Sequence, residues 1–298
     1  MKKLLFISAV LIFMSQKASS QSWRFLRSEV VGMIGTSNFF GELGGANDIG
    51  SSGIQGFKDL DIQMTRPCVA VGYRYYISPK FALRSDFTYA RLNGDDALTE
   101  ERFRNNRNLH FRSPAIELSG RVEFYPFAEY FGHLYRMKGI KGSGLHKWSP
   151  YVFVGVGGFW FNPKAKYNGD WIALRPLQTE DIAYSPIAIS LPFGGGLKYG
   201  VSKSLSIGIE FALRYTNTDY IDDVSSVYVD QSSESDMVQY LSNPTTGEIE
   251  NYVDGTYTYD PTAPGIERGD IENNDAFALM MISVNYKFLK GRKNLPKF

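Results

Sequence analysis

The sequence has very little cysteine and no excess of charge of either sign. Its 298 residues include one cysteine, Cys68, so neither an internal disulfide nor a multi-cysteine metal site can form. We interpret Cys68 as a small apolar residue of a strand rather than as a reactive thiol. The formal net charge is only +1, which argues against nucleic acid as a partner.

Long hydrophobic runs are also missing. The apolar run over residues 4–14 follows two lysines and precedes small residues at Ala18 and Ser20, which is the pattern of a cleaved export signal. It is shorter than the roughly 18 to 20 residues that a spanning helix requires. We therefore predict a signal peptide over residues 1–20. Because no linker rich in Pro, Gly or charge interrupts the rest, we predict one domain over residues 21–298.

Aromatic residues and glycine are abundant instead. The chain has 19 Tyr, 21 Phe and 29 Gly, and aromatics make up 15% of it. Membrane β-barrels combine such a composition with the absence of long apolar runs, since their strands alternate and their aromatics gather where lipid meets water. The composition therefore favours an all-β outer-membrane protein.

Strict alternation of apolar and polar residues supports this fold class. Residues 204–215 are the clearest case, because every second residue from Leu205 to Tyr215 is apolar and the positions between them are polar or small. Eight segments are predicted as strands in this way: 28–40, 68–77, 80–91, 114–125, 151–161, 187–200, 204–215 and 277–288. The chain is thus predicted to be a transmembrane antiparallel up-and-down β-barrel of about eight strands with long extracellular loops.

Three details of this prediction are less regular. The first strand has a weak pattern, and residues 151–161 are apolar on both faces, so their orientation is ambiguous. Pro192 cannot donate to a β-ladder, so we expect a bulge or a kink there.

The gaps between strands predict the orientation. Outer-membrane barrels have short periplasmic turns and long outer loops, so the amino terminus is predicted in the periplasm. The predicted outer gaps are 41–66, 92–112, 162–186 and 216–276, and the predicted periplasmic turns are 78–80, 201–203 and the longer 128–149. The last of these is either a contact with a periplasmic partner or an ordinary flexible loop. Residues 230–276 are predicted to be partly disordered without a partner.

Charged side chains recur on the face of the strands that is predicted to point inward. An eight-stranded barrel has an interior that side chains fill, and buried charges need partners. We therefore predict a self-neutralising plug rather than an open pore. The predicted inward charges are Arg74, Arg84, Asp86, Glu117, Arg121, Glu123, Lys198, Glu210 and Arg214.

No catalytic arrangement is recognisable, and we predict a protein that is not an enzyme. The three histidines are His110, expected in an outer loop, and His133 and His146, expected in a periplasmic one. None of them belongs to a nucleophile and base pattern. We interpret Asp95 and Asp96 as turn formers, and we predict neither a cofactor nor a bound metal.

The stretch "TDYIDDVSSVYVD", residues 218–230, changes abruptly from strand to acidic character. We interpret it as a strand that continues beyond lipid into the longest outer loop, with its aspartates making turn hydrogen bonds. Their spacing does not fit the regular calcium loop of an EF-hand, so a calcium site is the weaker alternative.

This stretch resembles a known family. Together with "PFGGGLKYGVSKSLSIGIEFALRY" and "AIELSGRVEFYPF", it looks like the PorG-type outer-membrane β-barrel proteins of Bacteroidetes. The resemblance is strongest over residues 187–230. It transfers a structural or contact motif onto Thr218, Asp219, Tyr220, Asp222, Asp223 and Ser225.

The resemblance implies a non-catalytic role in the type IX protein secretion machinery, which is associated with gliding motility. In that family the barrel lies among outer-membrane lipids and contacts a periplasmic ring formed by the PorK lipoprotein and its partner PorN. The alternative is a stand-alone barrel that acts as a small-solute pore or a surface adhesin.

Overall fold

The protein is described from a computed structural model. The described residues are 27–41, 43, 62–99, 102–127, 148–202, 204–245, 247, 249–250, 258–271 and 273–288. The predicted signal peptide, and most of the predicted periplasmic loop with His133 and His146, lie outside these ranges.

Strands dominate the described residues. They are β1 Ser28–Phe40, β2 Arg66–Tyr76, β3 Phe81–Asp95, β4 His110–Phe124, β5 Trp148–Phe161, β6 Lys164–Tyr167, β7 Asp170–Ala173, β8 Ile187–Gly200, β9 Leu205–Thr216, β10 Ile249–Glu250, β11 Thr258–Tyr259 and β12 Ala276–Lys287. The two α-helices of the described residues are α1 Arg102–Arg107 and α2 Asp236–Ser242. Neither helix is long or apolar enough to cross a membrane.

Eight of the strands form a closed antiparallel barrel. Each barrel strand pairs with the next in the order β1, β2, β3, β4, β5, β8, β9 and β12. Strand β12 pairs in turn with β1 and closes the barrel, from Glu29 opposite Lys287 to Phe40 opposite Ala276. The short hairpin of β6 and β7 extends outward from β4. The predicted eight-stranded antiparallel barrel is confirmed.

The outer face of the barrel carries a belt of exposed apolar side chains. Ile34 is 66% exposed, Leu118 63% and Ile282 60%. A contiguous apolar surface of this kind is unstable in water, so this face requires lipid. Strand β5, ambiguous in sequence, places its valines in the belt and Tyr151 and Phe153 in the lumen.

Two predicted boundaries are wrong. Strands β3 and β4 stay paired up to Asp95 opposite His110, because their ladder continues past the lipid-facing positions. The predicted gap over residues 92–112 therefore shrinks to residues 96–109. His110 is accordingly the first residue of a strand rather than part of a loop.

Of the bulge or kink expected at Pro192, the bulge is absent. Strand β8 keeps one register with β5 on both sides of the proline, with Phe193 opposite Val154 and Ser190 opposite Gly157. Pairing with β5 lapses only between these positions, while pairing with β9 continues throughout. Proline has no backbone N–H to donate, so hydrogen bonding to β5 is interrupted at Pro192, but no extra residue is inserted into the strand.

The long connections meet at one end of the barrel, which we call the long-loop end. They join β1 to β2, β3 to β4, β5 to β8 and β9 to β12. The opposite, short-turn end has the tight turns after β2 and β8. The described part of residues 230–276 contains α2 and Glu267, which forms a bridge with Val227. Residues 251–257 lie outside the described ranges, so the predicted partial disorder stays a prediction.

Candidate functional site

A row of arginines crosses the middle of the lumen. Arg74, Arg84 and Arg121 lie directly opposite one another on β2, β3 and β4, and none is more than 4% exposed. Like charges in direct opposition destabilise a sheet, and buried charges need partners. The carboxylates that bridge the row are Glu29, Asp86, Glu123 and Glu210.

Glu210 reaches this row from the other side of the barrel. It lies on β9 and accepts two hydrogen bonds from Arg121, at 2.8 and 2.6 Å, and one from Arg84 at 3.0 Å. The Tyr151 hydroxyl donates a further one at 2.6 Å. Charge-assisted and bidentate bonds of this kind are the strong ones. Glu210 therefore ties β9 to β3, β4 and β5 through the lumen.

Arg74 organises the part of the lumen nearer the short-turn end. Its Nε donates to Glu123 at 2.6 Å, and its Nη1 donates to Glu29 on the neighbouring strand. Glu29 also accepts from Lys198 Nζ at 2.9 and 3.0 Å, and Lys198 donates to the Tyr76 hydroxyl at 2.8 Å. These four basic groups face four carboxylates, and Lys287, the cross-strand partner of Glu29, adds a fifth buried basic group near Tyr76.

A separate pair lies nearer the long-loop end. Arg214 Nε donates to Glu117 Oε2 at 2.8 Å, and the Ser190 hydroxyl donates to Oε1 at 2.5 Å. The Phe277 ring centroid lies 5.7 Å from the Arg214 guanidinium carbon. The polar plug ends here, and an apolar layer follows.

All the predicted inward charges are buried in the lumen: Arg74, Arg84, Asp86, Glu117, Arg121, Glu123, Lys198, Glu210 and Arg214. Sequence reasoning missed Glu29, because the pattern of the first strand was weak. Its role is visible only in the fold, where Glu29 is the cross-strand partner of Arg74. Ion pairs of opposite charge are favoured at such positions.

The acidic stretch folds over the barrel mouth instead of extending β9. The strand ends at Thr216, and the following residues place Ile221 and Val224 in the apolar core of the barrel, at 0% and 1% exposure. Their neighbours there include Leu92 and Phe161. We call residues 217–228, with the groups that bind them, the cap. The predicted strand extension is wrong, because burying two branched apolar side chains outweighs continued pairing.

Backbone hydrogen bonds to carboxylates hold the turn of the cap. Asp275 Oδ2 accepts from the Ile221 N–H at 2.8 Å. Asp222 accepts from the Val224 N–H at 3.1 Å and from the Leu43 N–H at 3.3 Å. The first Asp222 bond is the expected Asx turn.

Asp223 adopts a left-handed backbone conformation, with φ of 71°. Its carboxylate accepts from the Thr179 hydroxyl and from the Tyr184 hydroxyl, both at 2.5 Å. Burial raises the pKa of Asp223 to about 6, although Arg268 and these two hydroxyls lower it. Strained, buried and bonded to another loop, Asp223 fixes the cap to the connection between β5 and β8.

Arg268 and Glu180 lie at the centre of the cap. Arg268 Nη1 donates to Glu180 Oε1 at 2.7 Å and to the Asp223 carbonyl at 2.6 Å. Glu180 also accepts from the N–H groups of Ser225 and Ser226, each at 3.0 Å. These bonds join two long connections, the one between β5 and β8 and the one between β9 and β12.

A second ion pair supports this arrangement. Arg107 donates to both carboxylate oxygens of Asp96, at 2.7 and 3.0 Å, and to the Arg268 carbonyl at 2.7 Å. Asp95 caps the short turn that contains Asp96 by accepting from the Ala97 N–H at 3.0 Å. The two aspartates are turn residues, as interpreted from sequence, and Asp96 is also an ion-pair partner.

Asp219 differs from its neighbours. It is 7% exposed, and neither of its carboxylate oxygens has a hydrogen bond of good geometry within the described residues. Burial raises its pKa to about 8; the Ser225 side chain opposes this shift, and Asp222 and Glu180 add to it. Burial therefore favours the protonated form of the Asp219 carboxyl near neutral pH.

The two remaining motif residues make structural contacts. Tyr220 stacks on Tyr184 with ring centroids 4.6 Å apart. The Thr218 carbonyl accepts from the Asp275 N–H at 3.0 Å. The structure thus brings together all six residues that the resemblance singled out: Thr218, Asp219, Tyr220, Asp222, Asp223 and Ser225.

Around the cap, the described residues form no metal-binding cluster. The part of the chain that the structure describes contains no group of three or more His, Cys, Asp or Glu residues that could hold a metal ion. His110 Nε2 accepts a hydrogen bond from the Lys166 N–H at 3.0 Å, so it is engaged with backbone. The arrangement is one of interlocking loops above a filled barrel.

Closure, the apolar belt and the filled lumen define the class: a small outer-membrane-type β-barrel. The chain belongs to the family described as a domain of unknown function, DUF6089, whose model matches residues 2–243. A search of curated proteins gave no match.

Several solved barrels are similar at low identity. Neisserial surface protein A is 9% identical with a TM-score of 0.38, covering 88% of this chain and 97% of that one. The attachment invasion locus protein Ail of Yersinia pestis, in complex with the heparin analogue sucrose octasulfate, is 10% identical with a TM-score of 0.36, covering 88% and 100%. The N-terminal barrel of Pseudomonas aeruginosa OprF is 9% identical with a TM-score of 0.32, covering 88% and 98%.

Proposed function

We propose that this protein is a non-enzymatic scaffold barrel that presents its ordered loops to other proteins and conducts no solute. The observation that carries the proposal is the lumen, in which Arg74, Arg84 and Arg121 are each paired with buried carboxylates. A path for a solute would have to break several charge-assisted bonds at once. The cap also covers the mouth of the barrel at the long-loop end, so it would obstruct the same path.

The finer proposal is that the scaffold is an outer-membrane subunit of the type IX secretion machinery and contacts a periplasmic lipoprotein ring. Its support is the resemblance of residues 187–230 to the PorG-type barrels. Within that resemblance, Asp222 and Asp223 are buried groups that shape the cap. Their role in the proposal is therefore to build the loop surface rather than to touch a partner directly. The contact with the ring is assigned to residues 128–149.

Copurification tests the finer proposal. The full chain, tagged at a loop and extracted from its native membrane in a mild detergent, is expected to retain a periplasmic ring lipoprotein. A variant that replaces residues 130–145 with a short Gly-Ser linker is expected to lose that partner. A matched control replaces Arg175 and Ile271, both exposed at the long-loop end, with Ser. Recovery of the barrel alone from wild-type membranes would refute the secretion role.

Planar-bilayer recording tests the scaffold itself. The wild-type chain is expected to give no stable unitary conductance, because the lumen charges are mutually bonded. Replacement of Glu210 with Gln removes the charge that two arginines share, and rare openings are then expected. Steady wild-type channels of uniform size would favour the small-solute pore instead.

A specific observation favours the adhesin as a second candidate. A cleft of about 330 Å³ opens at the long-loop end, and it is lined by Phe103, Arg107, Tyr228, Ile266 and Glu267 among others. Aromatic and charged groups around a concave site suit recognition of an external ligand. Adhesion of cells that display the protein, lost when Phe103 is replaced with Ser, would support this role over the secretion role.

A further inference from the structure

Four basic side chains lie together on the outside of the barrel near the long-loop end. Arg91 is on β3, Arg112 on β4, and Lys164 and Lys166 are on β6. Arg112 and Lys164 are direct cross-strand partners, so their side chains share a face. We call these four residues the basic strip.

The alternation of the strands places the strip on the lipid side of the wall. Arg91 lies four residues after Phe87 on β3, so both belong to the face of the strand that carries the apolar belt, where Phe87 is 52% exposed. Arg112 lies six residues before Leu118 on β4, so it shares the outer face with Leu118, which is 63% exposed. Tyr89 and Ile116 are cross-strand partners on this outer face, and Arg91 lies only two residues beyond Tyr89. The strip thus begins where the belt ends, at the level expected for lipid headgroups.

Within the described residues, no ion pair neutralises the charges of the strip. Among the described residues no carboxylate oxygen lies within 4.0 Å of a basic nitrogen of the four, in contrast to Arg84 or Arg107. Of the acidic residues that the structure describes, Asp95, which caps a turn, and Asp170, at the tip of the β6–β7 hairpin, lie on this side. The strip therefore keeps a local excess of positive charge.

Trp171 gives the strip a fixed geometry. The Arg112 guanidinium carbon lies 4.0 Å from the Trp171 ring centroid. A guanidinium stacked on a ring loses rotational freedom but keeps its in-plane N–H donors for an anion. Tryptophan itself prefers the membrane interface. At the same end, outward positions on other described strands carry uncharged residues, for example Phe40, Ile187 and Tyr215.

We propose that the basic strip binds the phosphate groups of an anionic lipid in the leaflet that surrounds the long-loop end. The position just beyond the belt selects a phosphate carried by a lipid over one free in solution. Basic residues near an anionic membrane surface contribute about 1 kcal/mol each, which is roughly fivefold in affinity. The strip would hold one side of the barrel against a specific lipid.

Lipid titration of the purified full chain, read by native mass spectrometry from a nonionic detergent, tests the proposal. The probes are diphosphorylated lipid A and the same lipid without phosphates. Wild type is expected to prefer the phosphorylated probe, and the double variant Arg112→Gln, Lys164→Gln is expected to bind it roughly 25-fold more weakly. The matched control, Lys80→Gln with Arg27→Gln, removes two basic charges at the opposite, short-turn end and should stay within about twofold of wild type.

Three results would overturn the proposal. The first is equal binding of both probes by wild type. The second is an equal loss in the control. The third is full displacement of the lipid by inorganic phosphate at the same phosphate concentration, which would indicate a site for free anions. If the first double variant fails to fold, Lys164→Gln with Lys166→Gln, both on the short hairpin, replaces it with the same expected loss.

Discussion

Arg268 and Glu180 form a buried ion pair, with 2.7 Å between Nη1 and Oε1, that joins two connections which no β-ladder holds together. Neither side chain is more than 2% exposed. The bond fixes the cap, because the same guanidinium donates to the Asp223 carbonyl at 2.6 Å. The pair therefore ties the connection between β9 and β12 to the connection between β5 and β8 above the barrel mouth.

Replacement of Glu180 with Gln is expected to open the cap. The change leaves Arg268 buried without its counter-charge, and breaking one partner of a buried pair costs about 3 to 5 kcal/mol. Protease cleavage within residues 217–275 should rise strongly, while the barrel keeps its compact mobility on an unheated gel. Glu267→Gln, at an exposed position of the same connection, is the control. Equal cleavage of both variants would mean that the pair does not hold the cap.

The stability of the cap is expected to fall as pH rises. The folded pKa of Asp219 is raised to about 8 and that of Asp223 to about 6, above the unfolded value of about 3.9. Both carboxyl groups bind their protons more tightly in the folded cap than in the unfolded chain. The resulting stabilisation of the folded cap is therefore complete below about pH 4, and it is lost as the pH rises through the folded pKa values. From pH 6 to pH 8 Asp219 dominates, and the opening equilibrium should increase by up to about 100-fold.

Hydrogen exchange of the Ile221 and Val224 amides, corrected for intrinsic exchange, measures this dependence. The Asp219→Asn variant should remove most of it between pH 6 and pH 8, because its side chain does not titrate. A wild-type cap equally protected at both pH values would contradict the assignment of Asp219 as a buried, protonated acid.

Substitution of two exposed isoleucines tests which part of the surface faces lipid and which faces water. Ile282 is 60% exposed in the apolar belt and Ile271 is 71% exposed in the connection before β12. Lysine at Ile282 should destabilise the folded barrel in lipid by about 2 to 4 kcal/mol, the cost of a cation near the middle of a bilayer. Lysine at Ile271 should change the free energy of unfolding by no more than about 0.5 kcal/mol. Urea titration in vesicles measures both, and equal effects would argue against lipid at Ile282.

Two glycines of β1 should respond differently to alanine. A Cβ at Gly35 would collide with the Met280 carbonyl and lie 2.6 Å from Met281 Cα, whereas a Cβ at Gly32 would have no neighbour within 4 Å. Because β12 closes the barrel on β1, Gly35→Ala should cost about 1 to 3 kcal/mol of barrel stability. Gly32→Ala should be neutral. The same urea titration in vesicles compares them, and a tolerated Gly35→Ala would mean that the closing strands can separate easily.

The sequence by itself determined the barrel strands of this protein and which of their residues face the lumen. Residues 204–215 alternate so strictly that the side of each residue could be assigned, and Glu210 and Arg214 are buried in the lumen as the alternation predicts. This worked because period two is a local property: adjacent side chains of a strand point to opposite faces in any sheet. The positions of the inward charges needed no knowledge of their partners.

Only the tertiary structure decided which charges meet and where residues 217–228 go. Glu210 is separated from Arg84 by 126 residues, and closure of the barrel brings them to 3.0 Å. The acidic stretch looked like a strand leaving the membrane, because nothing local reveals that Ile221 and Val224 have an apolar space to fill at the mouth of the barrel. That space is formed by side chains from strands far apart in the chain. Whether residues 217–228 continue the strand or bury Ile221 and Val224 therefore depends on the assembled fold.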